Sequence, residues 1–185
     1  MATYPLETER LIIRPVQEKD AEVTATLVTP AISKWTATWP PSISVESVLD
    51  RIKSAIEAQR AGQGVVLAIM RKCDGALMGL AGLHGNQLDP KTWSFGYWLG
   101  ESFHGKGYMS EAVGAIISHA WSQFDIEVIE ALAQPENGAS IAILQKQGMH
   151  FIGERTDFAP ARNRDERCVC YQIRRPLGVT TSLTE

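Results

Sequence analysis

The segment Leu99-Gly100-Glu101-Ser102-Phe103-His104-Gly105-Lys106-Gly107-Tyr108-Met109-Ser110-Glu111 constrains this chain more than any other. Before it, Trp93, Phe95, Tyr97 and Leu99 alternate in the manner of a strand. After it, Met109, Val113, Ile116, Ile117, Ala120 and Phe124 fall on one helical stripe. A strand, a glycine-rich turn and a helix in that order leave the first helical N–H groups free at the positive end of the helix dipole. Gly105 and Gly107 let the backbone bend tightly and come close to a ligand. Such a corner suits a phosphate or pyrophosphate. A turn that only needs two glycines would spell the same letters.

Two kinds of phosphate loop compete. Gly100-x-x-x-x-Gly105-Lys106-Gly107 nearly spells the nucleotide-hydrolase loop. That loop needs Ser or Thr at the position of Gly107, because a hydroxyl must hold magnesium. The later strand, near 126–133, also lacks an apolar run ending in the aspartate that would hold the metal. The sequence therefore argues against a magnesium-nucleotide enzyme.

The rest of the chain sets this loop within one α/β unit. Leu11-Ile12-Ile13 reads as a first strand, 18–28 as a helix, and 29–44, with its prolines, Trp35 and Trp39, as a loop. Val45, Val48, Leu49, Ile52, Ala55 and Ile56 mark an amphipathic helix to about Arg60. Val65–Met70 and Leu77–His84 are apolar runs joined at Asp74-Gly75, a hairpin signal. Beyond the loop and its helix come a strand over Glu127–Ala133, a helix opened by Asn137 and closed by Gly148, and strands near 149–156 and 166–174. This order predicts a mixed, largely antiparallel sheet with helices on both faces. Residues 1–175 form the expected single domain, with 176–185 as a flexible tail.

Composition narrows the function classes. With 185 residues, 44% hydrophobic and 21% charged, the chain can bury a sizeable core. A net charge of −3 disfavours general nucleic-acid binding. No apolar run approaches a membrane span, and the first residues have no basic-then-apolar pattern, so a cytoplasmic protein is expected. Cys73, Cys168 and Cys170 are odd in number and read as reduced thiols. No histidine pair has zinc spacing, so no metal is expected.

Several motifs in register resemble the GNAT N-acetyltransferase superfamily, in its RimJ/RimL-type branch. His104, Gly107 and Met109 stand on that family's coenzyme A pyrophosphate pattern, with only the central glycine standard. Leu6-Glu7-Thr8-Glu9-Arg10-Leu11-Ile12-Ile13-Arg14-Pro15 resembles the branch's opening strand, and Gly96-Tyr97-Trp98-Leu99 its strand before the loop. Pro135-Glu136-Asn137-Gly138-Ala139-Ser140 resembles its Asn-x-x-Ser helix start.

The resemblance implies a GNAT-like sheet splayed at the strand before the loop, and acetyl-coenzyme A as co-substrate. His104, Gly105, Lys106, Gly107, Tyr108, Met109 and Ser110 would surround the pyrophosphate. Backbone near Trp98 and Leu99 would pair with the pantetheine arm, and a backbone N–H at this strand end would stabilise the oxyanion. Asn137 would touch the coenzyme, or simply cap its helix. Many relatives carry a tyrosine acid at the place of Leu144, which cannot protonate a thiolate. Ser140 is the expected donor to the departing sulfur, against the alternative of a first-turn serine satisfying backbone. Glu101, His84, Glu130 and a water chain stand as candidate bases. Trp35 and Trp39 would line the acceptor site, or pin their loop to the core. The expected reaction is direct transfer of acetyl to a primary amine, a protein N-terminus or a small molecule, by a monomer or homodimer. A non-catalytic coenzyme A sensor on the same fold is the alternative.

Overall fold

The structure, a computed structural model, describes residues 3–86 and 88–178. In chain order the strands are β1 (Leu6–Glu7), β2 (Leu11–Pro15), β3 (Gly64–Arg71), β4 (Leu77–Gly85), β5 (Thr92–Leu99), β6 (Val128–Ala133), β7 (His150–Ala159) and β8 (Arg164–Arg174). The helices are α1 (Ala21–Leu27), α2 (Pro30–Ser33), α3 (Val45–Arg60), α4 (Tyr108–Gln123) and α5 (Gly138–Lys146). The strands form one sheet in the order β1-β2-β3-β4-β5-β6-β8-β7. Of its neighbouring pairs, only β5 and β6 run parallel. Most expected boundaries hold within two residues. The region 29–44 differs, because Pro30 at the first helical turn starts the short α2. Of the tail expected after Pro176, residues 179–185 lie outside the described residues.

Each face of the sheet has its own core. The alternation in β5 sends Trp93, Phe95 and Leu99 to the face under α4 and α5, where they join Leu11, Ile69, Val113, Ile116 and Leu144. Trp98 points the other way and packs with Val16, Val48, Ile52 and Leu80 under α1 and α3. Leu144, where the resemblance leads one to look for a tyrosine, is fully buried in the first core. Cys168 and Cys170 are buried free thiols, and Cys73 is an exposed one.

One irregularity positions the site. β5 is paired along its length to β4, from Gly85↔Trp93 to Gly79↔Leu99. It meets β6 only over Thr92↔Val128, Trp93↔Ile129 and Ser94↔Glu130. From Phe95 onward the two strands diverge, and their facing backbone edges are unpaired with each other.

Candidate active site

A cavity of about 1250 Å³ fills the wedge between β5 and β6 and opens on both faces of the sheet. Pockets for drug-sized ligands run to about 1,000 Å³, and this one lies above that range.

On the α4 side the cavity ends at the glycine-rich loop. Gly105 and Gly107 have φ of +72° and +78°, the left-handed region where any side chain costs about 1–2 kcal/mol. Gly107 immediately precedes α4. Among the described residues, none of the backbone N–H groups from 105 to 110 donates within the chain. They form a nest of donors at a helix N-terminus, as the sequence predicts for an anion.

The side chains of this loop hold its shape. The His104 ring meets the Leu99 carbonyl through Nε2 at 2.7 Å, so the imidazole is engaged with the end of β5. Lys106 Nζ donates to the Ser102 carbonyl at 2.7 Å. Met109 is buried in the core. Ser110 accepts from Gln147 Nε2 through its carbonyl at 3.1 Å. Trp98 lines the cavity, and its indole packs in the second core.

Sequence reasoning missed the clamp behind the loop. Glu111 in the first turn of α4 accepts from the Thr8 hydroxyl at 2.5 Å, the Arg10 N–H at 2.9 Å and Arg10 Nε at 2.7 Å. Arg10 Nη1 also donates to the Lys106 carbonyl at 2.9 Å, and its guanidinium lies 4.6 Å from the centroid of the Tyr108 ring. Burial alone would raise the Glu111 pKa, but the hydrogen bonds from Thr8 and Arg10 outweigh it and hold the carboxyl below its ordinary value. The Thr8-Glu9-Arg10 segment, which carried part of the family resemblance, thus ties the sheet edge to the loop. Two residues of spacing, Thr8 and Arg10, were the available signal; their distant partner was not.

At the start of α5, Asn137 Oδ1 accepts the Ser140 N–H at 3.1 Å, the cap expected of it. Asn137 and Ser140 both line the cavity. Ser140 Oγ lies 3.0 Å from the Tyr97 hydroxyl, which is also 3.2 Å from the Ser140 carbonyl. Burial pushes the Tyr97 phenol up to about 12, with the Ser140 contact acting in the opposite sense. Tyr97 is therefore a neutral donor at ordinary pH, sited on β5. The apolar alternation of β5 hid it as a core residue.

The opposite mouth is bounded by α3, the 34–39 loop and residues of β4, β6 and β7. Arg51, His84, Glu130, Arg155 and Asp157 line it, together with Trp35 and Trp39. Trp39 packs edge-on to Trp98 at 5.2 Å and lies under Arg51; Trp35 lies under Lys34. Glu130 accepts from Gln172 Nε2 at 3.0 Å and sits 3.8 Å from Arg155. Glu101 accepts the Thr29 hydroxyl at 2.5 Å, out on the loop side of β5. The tryptophan loop is moored to the β7–β8 hairpin: Arg162 donates to the carbonyls of Ser33 and Thr36, and pairs with Glu166. Gln134 adds a bond to the Lys34 carbonyl at 3.0 Å, and Ala161 N–H one to the Ala37 carbonyl at 3.0 Å.

Among the described residues no cluster of three or more metal-ligating side chains occurs, and no helix is long and apolar enough to cross a membrane.

Known proteins are similar to this chain in sequence and in fold. Residues 10–150 match the acetyltransferase (GNAT) domain. The chain is 30% identical over 162 residues to the uncharacterized N-acetyltransferase p20 of Bacillus licheniformis, covering 86% of this chain and 89% of that one. Its fold is similar to that of RimL, a ribosomal L7/L12 alpha-N-protein acetyltransferase solved with coenzyme A, at a TM-score of 0.79 and 21% identity over 90% of this chain and 95% of that one. It is similar also to the microcin C7 self-immunity acetyltransferase MccE, solved with acetyl-CoA and AMP, at a TM-score of 0.80 and 18% identity over 91% and 94%. With a wedge between parallel strands, an anion-binding helix start and a matched domain spanning most of its length, the chain belongs to the GNAT family and is an acetyl-CoA-dependent acyltransferase.

Proposed function

We propose that the cleft acetylates a primary amine by direct attack on acetyl-coenzyme A in a ternary complex. The observation that carries this reading is the pairing of a free nest of amides at 105–110 with unpaired β5 backbone, both on one continuous cavity. The residues present fit the coenzyme. The nest accommodates a diphosphate, and the open edge of β5 beyond Ser94 can pair with an extended amide-bearing arm. Bound there, the coenzyme supplies an activated acetyl thioester.

The chain's own groups then divide the work. Backbone N–H along the splayed part of β5 stabilises charge on the thioester oxygen as the amine attacks. Ser140 donates toward the departing sulfur, with the Tyr97 phenol donating to Ser140 from behind. Asn137 holds Ser140 in place through the cap, and both residues line the cavity. Trp35 and Trp39 form the wall that the acceptor meets. The mouth they border is broad and carries charges of both signs, which suits a peptide N-terminus as well as a small amine; the RimL neighbour acts on a ribosomal protein N-terminus, and the peptide reading takes precedence here. The cytoplasm is the compartment in which such an acceptor and acetyl-coenzyme A meet.

The test is calorimetric titration with coenzyme A, with and without magnesium, followed by thiol-release assays with a panel of N-terminal peptides and small amines. Magnesium-independent binding and amine-dependent thiol release are expected. Tight binding with no turnover across the panel would favour a coenzyme A sensor instead.

A further inference from the structure

We propose that His84 is the general base that takes the proton from the incoming ammonium. The assignment rests on the acetyl-transfer reading above and names a residue within the same site.

The register places His84 at the point of the wedge. Across the sheet, His84 on β4 faces Ser94 on β5, and Ser94 faces Glu130 on β6. Cross-strand partners share a face, so these three side chains stand in one row on the acceptor side. Ser94 and Glu130 are also the last pair before β5 and β6 diverge. The next residue on this face, Gly96, lies within the splay, two residues and roughly 7 Å along the strand.

The floor between the row and the splay is bare. Gly82 and Gly96 face each other across β4 and β5. A Cβ on Gly96 would meet nothing within 4 Å. A Cβ on Gly82 would lie 2.5 Å from His84 Nε2 and 3.3 Å from Cε1. The imidazole thus lies back over Gly82, toward the opening, in a space that only glycine leaves. Neither ring nitrogen has a hydrogen-bond partner among the described residues. The other sequence candidates are occupied: Glu130 is bonded by Gln172 and faces Arg155, and Glu101 is held by Thr29 on the far side of β5.

Several groups face the ring from the elements around it. Gly64 on β3 and Ser94 on β5 carry no charge, and Glu130 comes from β6. Asp50 and Arg51 on α3 and Arg155 and Asp157 on β7 line the same mouth. The ring is reachable from that mouth, yet flanked by enough protein to lose part of its hydration. Desolvation moves its pKa below the ordinary 6.5, so the ring is a neutral acceptor at pH 7.

The step balances simply. A ring nitrogen lone pair takes one proton from R–NH₃⁺ and leaves R–NH₂, whose own lone pair forms the bond to the acetyl carbon. The carbon–sulfur bond breaks as the intermediate collapses. Nitrogen loses two protons in all and sulfur gains one. The net proton leaves through the open mouth where the imidazolium sits.

The experiment compares wild type with His84→Gln, using the peptide Ser-Ala-Ala-Ala and the best acceptor of the amine panel. A base is needed only while the amine is protonated, and an α-amino group loses its proton near pH 8. The variant should fall about 100-fold in kcat/KM near pH 6.5 and recover to within a few-fold near pH 9, with unchanged coenzyme A affinity. Added imidazole should restore part of the activity of His84→Ala. A defect of equal size at both pH values, or none at either, overturns the assignment while leaving acetyl transfer intact. A wild-type chain that binds coenzyme A but acetylates no amine overturns the transfer reading, and this assignment with it.

Discussion

The two mouths of the cleft are built in different ways. The side proposed for the coenzyme is made of backbone. Its N–H groups face the cavity, and its side chains turn inward to hold the loop: His104 on Leu99, Lys106 on Ser102, Asn137 on Ser140, Arg10 and Thr8 on Glu111. The acceptor side is made of side chains brought from α3, β4, β6, β7 and the 34–39 loop. A backbone site binds whatever presents a diphosphate and an extended amide. A side-chain site can be rewritten residue by residue without disturbing the sheet.

The sharpest way to break the contrast is to put a side chain into the backbone site. Gly107→Ala pays only the left-handed strain of about 1–2 kcal/mol, so the coenzyme A dissociation constant should rise about tenfold. Gly107→Asp adds a like charge beside the diphosphate, worth several kcal/mol at short range, and should raise it about 1,000-fold. Calorimetric titration separates the two variants. Equal, small effects would mean that the loop does not hold the diphosphate.

The next prediction lies where the two halves meet. Ser140→Ala and Tyr97→Phe each remove one hydroxyl of a pair 3.0 Å apart. Each should lower kcat by about 10- to 100-fold and change coenzyme A affinity less than threefold. Because the hydroxyls act in series, the double variant should be little worse than either single one. Additive losses in steady-state assays would show that the two act separately.

This division also decides what the sequence could tell. Backbone sites announce themselves through glycine spacing and helix caps, which are local. Gly105, Gly107, Asn137 and the amphipathic stripe of α4 were legible for that reason. So was the sheet, since its strands carry the alternation of two-faced burial. Tyr97 was not legible, because a tyrosine in an alternating apolar strand reads as core until its hydroxyl is seen against Ser140. Nor was the Arg10–Glu111 clamp, which joins residues 101 positions apart. The proline-rich stretch read as loop hid α2, whose single turn is too short for a periodic signal.

The smallest expected effect concerns the mooring of the acceptor wall. Arg162 ties both Ser33 and Thr36 carbonyls to the β7–β8 hairpin, and it is held by Glu166 at 2.5 Å. Glu166 keeps Arg164 and Gln134 when Arg162 is removed, at 2.8 Å each, so the hairpin itself should survive. Arg162→Ala should therefore cost about 2–3 kcal/mol in thermal or denaturant unfolding, raise the acceptor KM about 5- to 10-fold, and leave coenzyme A affinity unchanged. The same mooring sets an acid limit. The Arg162 hydrogen bonds lower the Glu166 pKa to about 2, against an ordinary 4.5. A depressed carboxylate contributes stability that is complete above its unfolded value and is lost as pH falls toward the folded one. Wild type should thus lose stability between about pH 4.5 and 2 more steeply than Glu166→Gln, which has no proton to take up there. If the acceptor KM of Arg162→Ala matches wild type, the tryptophan loop is not a wall of the acceptor site, and acceptor binding rests on α3, β4, β6 and β7 instead.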